Sequence, residues 1–216
     1  MGVKKSQSSK TSFCALNGDQ EDIENISKFE KLNPLFVGET KSSVETLLYA
    51  LEKSSLSENE SILISPCDAA IDLDWQEFLN KNEKMKGCEG IIFSYSGYPY
   101  VRWMPEQYGW LNLNADDSIK SIGYKKGWDA NFKNPIITGH FWFPNIGKLK
   151  KNLNIYLEST SLSDKEVSID EFCDFLNKNN KKVYSYLVED FLCLGTSFEF
   201  RAYEYWLNAD QISRLN

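Results

Sequence analysis

Residues 61–74 read SILISPCDAAIDLD, and the fold follows from how this stretch is read. Ser61–Ser65 is apolar without alternation, the pattern of a strand covered on both faces. Pro66-Cys67-Asp68 ends it, because proline cannot donate to a strand ladder. In open α/β sheets ligands gather at the carboxyl ends of strands, and Asp68 stands at such an end. A carboxylate there can hold a Mg²⁺ ion that bridges phosphates, or it can cap the next turn.

The flanking sequence alternates. Downstream, Trp75–Lys84 is predicted to be a helix, followed by a second buried strand at Gly90–Tyr95 (GIIFSY). Upstream, a helix opens at Thr40 with Val44, Leu47, Leu48 and Leu51 on one stripe. Before it come short strands at Ser12–Leu16 and Leu35–Val37, with a helix between them over Gln20–Lys31. Buried strands separated by helices predict a three-layer α/β domain with a mainly parallel central sheet and helices on both faces.

The middle of the chain departs toward hairpins, with strand-like pieces at Val101–Trp103, Gly109–Leu113 and Ile119–Tyr124 and a turn at Asp116-Asp117. Pro135–Phe143 is the most apolar strand region. Helices follow at Ile146–Leu157 and Ser168–Asn177, strands at Val183–Leu187 and Phe191–Leu194, and a last helix at Phe198–Trp206, cut before Asn208-Ala209-Asp210. Residues 1–11 read as a flexible tail, and residues 12–216 as one domain.

Composition narrows the function classes. The 216 residues carry a net charge of −7, with 42% hydrophobic and 25% charged residues, an ordinary globular mix. No Lys/Arg block is long enough to follow a nucleic-acid backbone, so nucleic acid is disfavoured as a partner. A single histidine, His140, excludes a multi-histidine metal site and reads as a core or strand-edge residue. Five cysteines, an odd number with no C-x-x-C pair, read as reduced thiols of a cytoplasmic protein. Cys14, Cys67, Cys173 and Cys193 fall in apolar contexts and are expected to be buried. No apolar run reaches membrane-span length, and the basic, polar start is no signal peptide.

Five segments come in a telling order: GETKSSVETLLYALE, ILISPCD, EQYGWLNLNADDSIKSIGYKK, PIITGHFWF and KKVYSYLVEDFLCLGTSFEFRAYEYW. This order resembles the sugar-1-phosphate nucleotidyltransferases, in particular bacterial members tied to capsule and other surface polysaccharides. The resemblance covers about residues 12–207. It implies a nucleotide-diphospho-sugar transferase-like fold and the transfer of a nucleotidyl group from a nucleoside triphosphate to a sugar 1-phosphate, with Mg²⁺ as cofactor. It implies that Asp68 is the metal-binding aspartate and that Thr40 and Glu45-Thr46 lie near the nucleotide base. It implies that Gly109 approaches the sugar, that Lys125 meets the sugar phosphate, and that Gly139 opens the strand closing the sugar pocket. Glu166 and Asp170 fall where the family has a G-E-F-Y-V-D-like stretch, and Gly195-Thr196 match its final G-T.

The departures are as informative. Family members begin with a strand and a Gly-rich loop whose backbone N–H groups cradle the triphosphate. The twelve glycines here form no G-x-G, and there is no G-x-x-x-x-G-K-[ST]. The expectation is an N-terminally incomplete domain that lacks one strand–loop–helix unit. Such a domain would associate with itself or with a completing partner chain. Tyr124 replaces the Glu of a Glu-Lys pair, and Cys193 stands where many relatives place a second metal-binding Asp. Three readings therefore stay open: a nucleotidyltransferase-like chain, a non-catalytic homologue that binds a sugar phosphate or a partner, and a glycosyltransferase using Asp72 and Asp74 as a D-x-D metal site. Asp74 also reads as a helix N-cap.

Overall fold

The computed structural model describes residues 12–16, 33–74, 76–78, 80, 87–123, 134–160 and 166–213. The expected helix over Gln20–Lys31, the tail at residues 1–11 and most of the helix beyond Trp75 lie outside them. Strands β1 (Ser12–Leu16) and β2 (Asn33–Val37) pair in parallel as a two-stranded sheet. Helix α1 (Ser43–Lys53) follows, then β3 (Ile62–Ile64), β4 (Ala69–Ile71) and β5 (Gly90–Tyr95). Strands β6 (Trp110–Leu113), β7 (Ile119–Gly123) and β8 (Ile136–Phe143) form the middle. Helices α2 (Ile146–Thr160) and α3 (Ile169–Lys178), strands β9 (Val183–Leu187) and β10 (Phe191–Cys193), and helix α4 (Ser197–Ser213) complete the chain.

The central sheet runs β7-β6-β8-β5-β9, with β3 also on β8. Only β5–β9 is a parallel pairing in it; β3, β5 and β6 all meet β8 antiparallel, as β6 does β7. The expectation of a mainly parallel sheet is corrected here, while the layered α/β architecture holds. The reason is the insertion of β8 between β5 and β3. A strand buried on both faces has the same unbroken apolar composition whichever way its neighbours run.

The layers follow from side-chain alternation. On one face Ile92 of β5 and Phe141 and Phe143 of β8 pack with Val44, Leu47 and Leu51 of α1, Leu149 and Leu153 of α2, and Phe172 and Leu176 of α3. On the other, Ile91, Phe93, Trp142 and Tyr186 enclose the fully buried Phe78. Each such side chain contributes roughly 1.5–3 kcal/mol by leaving water. The caps sit where the sequence puts hydroxyls. Ser42 accepts from Glu45 N at 3.2 Å to start α1. Ser168 and Glu171 form a reciprocal capping box at the start of α3.

Three local expectations fail. Val101–Trp103 is not a strand: residues Pro99–Arg102 form a 3-10 turn, since Pro99 pre-sets the first turn and burying Val101 outweighs β propensity. The last helix is not cut before Asn208; it runs to Ser213. Cys67 is exposed, because the chain has already left the sheet at Pro66. Cys173 is buried as expected and so is Cys88, Cys193 is only half-buried, and the side chain of Cys14 lies outside the description. No helix among the described residues is long and apolar enough to cross a membrane.

Candidate functional site

Beyond β3 the chain turns at Pro66 and returns as β4, which pairs antiparallel with β10 so that Ala69 faces Cys193. Leu194 N donates to the Asp68 carbonyl at 2.7 Å. This pairing brings Gly195 against Asp68, and a Cβ on Gly195 would lie 2.9 Å from Asp68 Oδ2. Across the cleft, Ile137 N donates to the Gly109 carbonyl at 2.8 Å, which holds Gly109 beside β8. A Cβ on Gly109 would meet Ile137 Cδ1 at 2.9 Å and Asp170 Oδ2 at 3.2 Å. Gly139 has φ +81° within β8, and the Pro66 ring lies 3.1 Å from where its side chain would start. A positive φ inside a strand is what glycine permits, and here the missing side chain leaves room for the Pro66 ring.

These residues enclose an open cleft of about 400 Å³, with Asp68, Gly109, Gly139, Asp170, Gly195 and Glu199 in its lining. A second hollow of about 410 Å³ is lined by Tyr95, Tyr98, Trp103 and Trp110, with Arg102 as the charged side chain in its described lining. The carboxylates are in the first cleft, which is therefore the candidate site.

Glu199 is the residue the sequence reading missed. It is 2% exposed, in the first turn of α4. Its Oε1 accepts from Tyr98 Oη at 2.6 Å and Tyr108 Oη at 2.8 Å. Its Oε2 accepts from Thr196 N at 3.1 Å, Thr196 Oγ1 at 2.8 Å and Cys193 Sγ at 3.5 Å. Burial alone would raise this carboxyl, but the hydrogen bonds from Tyr98, Thr196, Tyr108 and Cys193 outweigh it and hold it below the ordinary glutamate value. Burial and the same carboxylate push both tyrosines up, so they stay protonated donors. The local signal was present: T-x-x-E over residues 196–199 is a capping-box spacing. Its two distant donors, Tyr98 and Tyr108, were not visible, because they converge only in the fold.

The other expected site residues distribute as follows. Asp68, Gly109, Gly139 and Asp170 share the cleft. Thr40 and Glu45 are not in its lining, although their neighbour Ser43 is. Thr40 shares a hydroxyl contact with Thr46, and Glu45 Oε2 accepts from Lys41 N at 2.8 Å, so both serve the start of α1. Glu166 is exposed and outside the lining. Lys125 lies outside the described residues. Asp74 Oδ1 accepts from Gln76 N at 2.8 Å and Glu77 N at 3.0 Å, the N-cap role, which weighs against a D-x-D metal pair. His140 is buried with Nδ1 on Thr138, and burial lowers its pKa, so it stays neutral in the core.

For Mg²⁺ the donor set is sparse. Among the described residues no group of three or more His, Cys, Asp or Glu could hold a metal. Glu199 is saturated with donors, and burial raises the Cys193 thiol to about 11, which keeps it neutral. Asp68, exposed in the cleft, and the half-buried Asp170 remain. One carboxylate suits Mg²⁺ when phosphates and water supply the other ligands, which is its usual manner of binding.

No protein-family model matches the chain, and no curated protein matches it. Solved structures do. The inositol-1-phosphate CTP transferase from T. maritima superposes with TM-score 0.63 at 13% identity, over 86% of this chain and 70% of that one. The nucleoside-diphosphate-sugar pyrophosphorylase from Vibrio cholerae RC9 gives 0.64 at 14% identity, over 88% and 78%. HddC from Yersinia pseudotuberculosis gives 0.60 at 17% identity, over 88% and 75%. At such identities the likeness establishes the fold, and it is the nucleotidyltransferase-like fold that the order of the sequence segments implied.

Proposed function

We propose that the cleft is the sugar-phosphate half of a nucleotidyltransferase site, and that the chain serves nucleotide-sugar formation. The observation that carries this reading is the meeting of Asp68, Gly109, Gly139 and Asp170 in one cleft at the carboxyl end of β3. In the proposed reaction an oxygen of the sugar 1-phosphate attacks the α-phosphorus of a nucleoside triphosphate. The new P–O bond forms as the bond to pyrophosphate breaks, and pyrophosphate leaves with its electron pair. Such chemistry needs positioning and charge stabilisation more than a base. Asp68 is the residue to hold a Mg²⁺ ion, which when bound would offset phosphate charge. Gly109 and Gly139 leave room for Ile137, Asp170 and the Pro66 ring, and so set the walls against which a sugar ring would lie. Asp170 is placed to accept from sugar hydroxyls, and Lys125 is assigned to the sugar phosphate as a point charge. Thr40 and Glu45 would act on the nucleotide side only through the placement of α1.

The substrates proposed are a nucleoside triphosphate with a sugar 1-phosphate, or the nucleotide sugar in reverse, in the cytoplasm. The link to surface polysaccharides rests on the resemblance in segment order. These 216 residues contain no G-x-G to cradle a triphosphate, so turnover by the chain alone should be low.

Calorimetric titration with a panel of sugar 1-phosphates and nucleotide sugars, with and without Mg²⁺, tests the reading. Binding should depend on Mg²⁺, and Asp68→Asn should abolish that dependence while the thermal melt stays put. Lys125→Ala should weaken affinity for the phosphate. No binding across the panel, or binding unchanged in both variants, would sink the proposal. Release of pyrophosphate at an ordinary enzymatic rate would overturn the expectation of low turnover and leave the site assignment standing.

A further inference from the structure

Helix α4 begins in the cleft wall and leaves the body. Among the described residues, every side-chain hydrogen bond tying it to the rest of the chain runs through Glu199 in its first turn. Beyond that turn the helix is apolar on more than one side. Phe200, Tyr203 and Leu207 recur at i, i+3 and i+7, and all three are exposed. Phe198, Tyr205 and Trp206 mark a second stripe, with Tyr205 66% and Trp206 67% exposed. Phe198 extends that stripe onto the body, where it packs edge-on against Trp103, itself 67% exposed. A helix apolar on several sides is stable when it is covered.

We propose that α4 and the Trp103 ledge form a homodimer interface, with the second copy of this chain as the occupant. Trp103, Phe198, Tyr205 and Trp206 leave on the order of 500 Å² of aromatic surface on one side of α4, and Phe200, Tyr203 and Leu207 add apolar area on the opposite side, so an interface that grips the helix from both sides approaches the ~800 Å² per partner of a standard one. An isologous interface uses one patch twice, so the patch must complement itself. Aromatic surface does so without charge repulsion, and Arg201 and Glu204, opposite in sign and three residues apart, offer each copy both members of a rim pair. The chain's net charge of −7 opposes docking on an anionic lipid surface. Because Glu199 holds Tyr108 beside Gly109, covering α4 would also brace one wall of the cleft.

Sedimentation equilibrium of the full chain across a wide micromolar range tests this. The expected mass is twice the 24.9 kDa of one chain. The variant Tyr205→Ser/Trp206→Ser/Leu207→Ser should fall to the mass of one chain and still melt cooperatively, at a temperature that no longer rises with protein concentration, while Tyr49→Ser, an exposed aromatic on α1, should stay dimeric. The single change Trp206→Lys, read separately, should weaken the dimer at least tenfold in its dissociation constant. A monomeric wild type, a dimer that survives the α4 changes, or open-ended assembly in place of a closed dimer would overturn the proposal. So would a monomer whose α4 binds phosphatidylcholine or phosphatidylserine vesicles.

Discussion

A side chain on Gly195 would begin 2.9 Å from Asp68 Oδ2, so the Asp68 carboxylate occupies space that only glycine leaves free. Gly195→Ala should turn that carboxylate away from its place in the cleft. Both positions are exposed, so stability should change little. Mg²⁺-dependent binding of a sugar phosphate should fall on the order of 10-fold, as for loss of a supporting group at a metal site. Titration of wild type and variant beside a thermal melt reads both quantities; equal affinity would remove Asp68 from the metal assignment.

Glu199→Gln keeps the shape of the side chain and removes its charge. Tyr98, Tyr108 and Thr196 would then donate to a neutral amide oxygen or face an amide NH₂, and a buried donor left unmatched costs about 1–3 kcal/mol. Urea denaturation should show a loss of that size with an unchanged slope. A variant as stable as wild type would mean that the network is dispensable.

The same residue predicts an acid limit. The folded pKa of Glu199 is below its ordinary value of 4.5, so its contribution is fully present above that value and is lost as pH falls through the folded pKa. Melts of wild type and Glu199→Gln recorded on the acid side should converge there and diverge above it. Parallel curves through that range would contradict the depressed pKa.

Gly139→Ala combines two costs. A left-handed backbone costs a β-carbon-bearing residue about 1–2 kcal/mol, and the new methyl would press on the Pro66 ring. Denaturation should show destabilisation of at least that amount, and the cleft wall should shift with it.

Phe78→Ala tests the second face of the sheet. The ring lies 5.2 to 5.5 Å from those of Tyr186, Phe93 and Trp142. Emptying that place should cost roughly 3–5 kcal/mol. A loss below 1 kcal/mol would mean that the 76–80 segment does not seal this face.

Much of the fold was legible in the sequence because its signals are local. Gly90–Tyr95 and Val183–Leu187 are strands with the boundaries their apolar runs suggest. Ser168 and Glu171 mark the start of α3 by residue type alone. The periodic stripe of Val44, Leu47 and Leu51 faces the core as its spacing requires. The order of segments identified the fold, and Asp68, Gly109, Gly139 and Asp170 could be singled out one by one.

Tertiary structure decided what depends on pairing between distant segments. The direction of β8 relative to β3 and β5 leaves no mark on a strand buried on both faces, so the antiparallel sheet could not be read in advance. Val101 could be buried equally by a strand or by a 3-10 turn, and packing chose the turn. Glu199 announces itself locally as a cap. Its charge is held in the interior by Tyr98 and Tyr108, about a hundred residues earlier in the chain, and only the fold that gathers those hydroxyls makes a buried carboxylate affordable in water's absence.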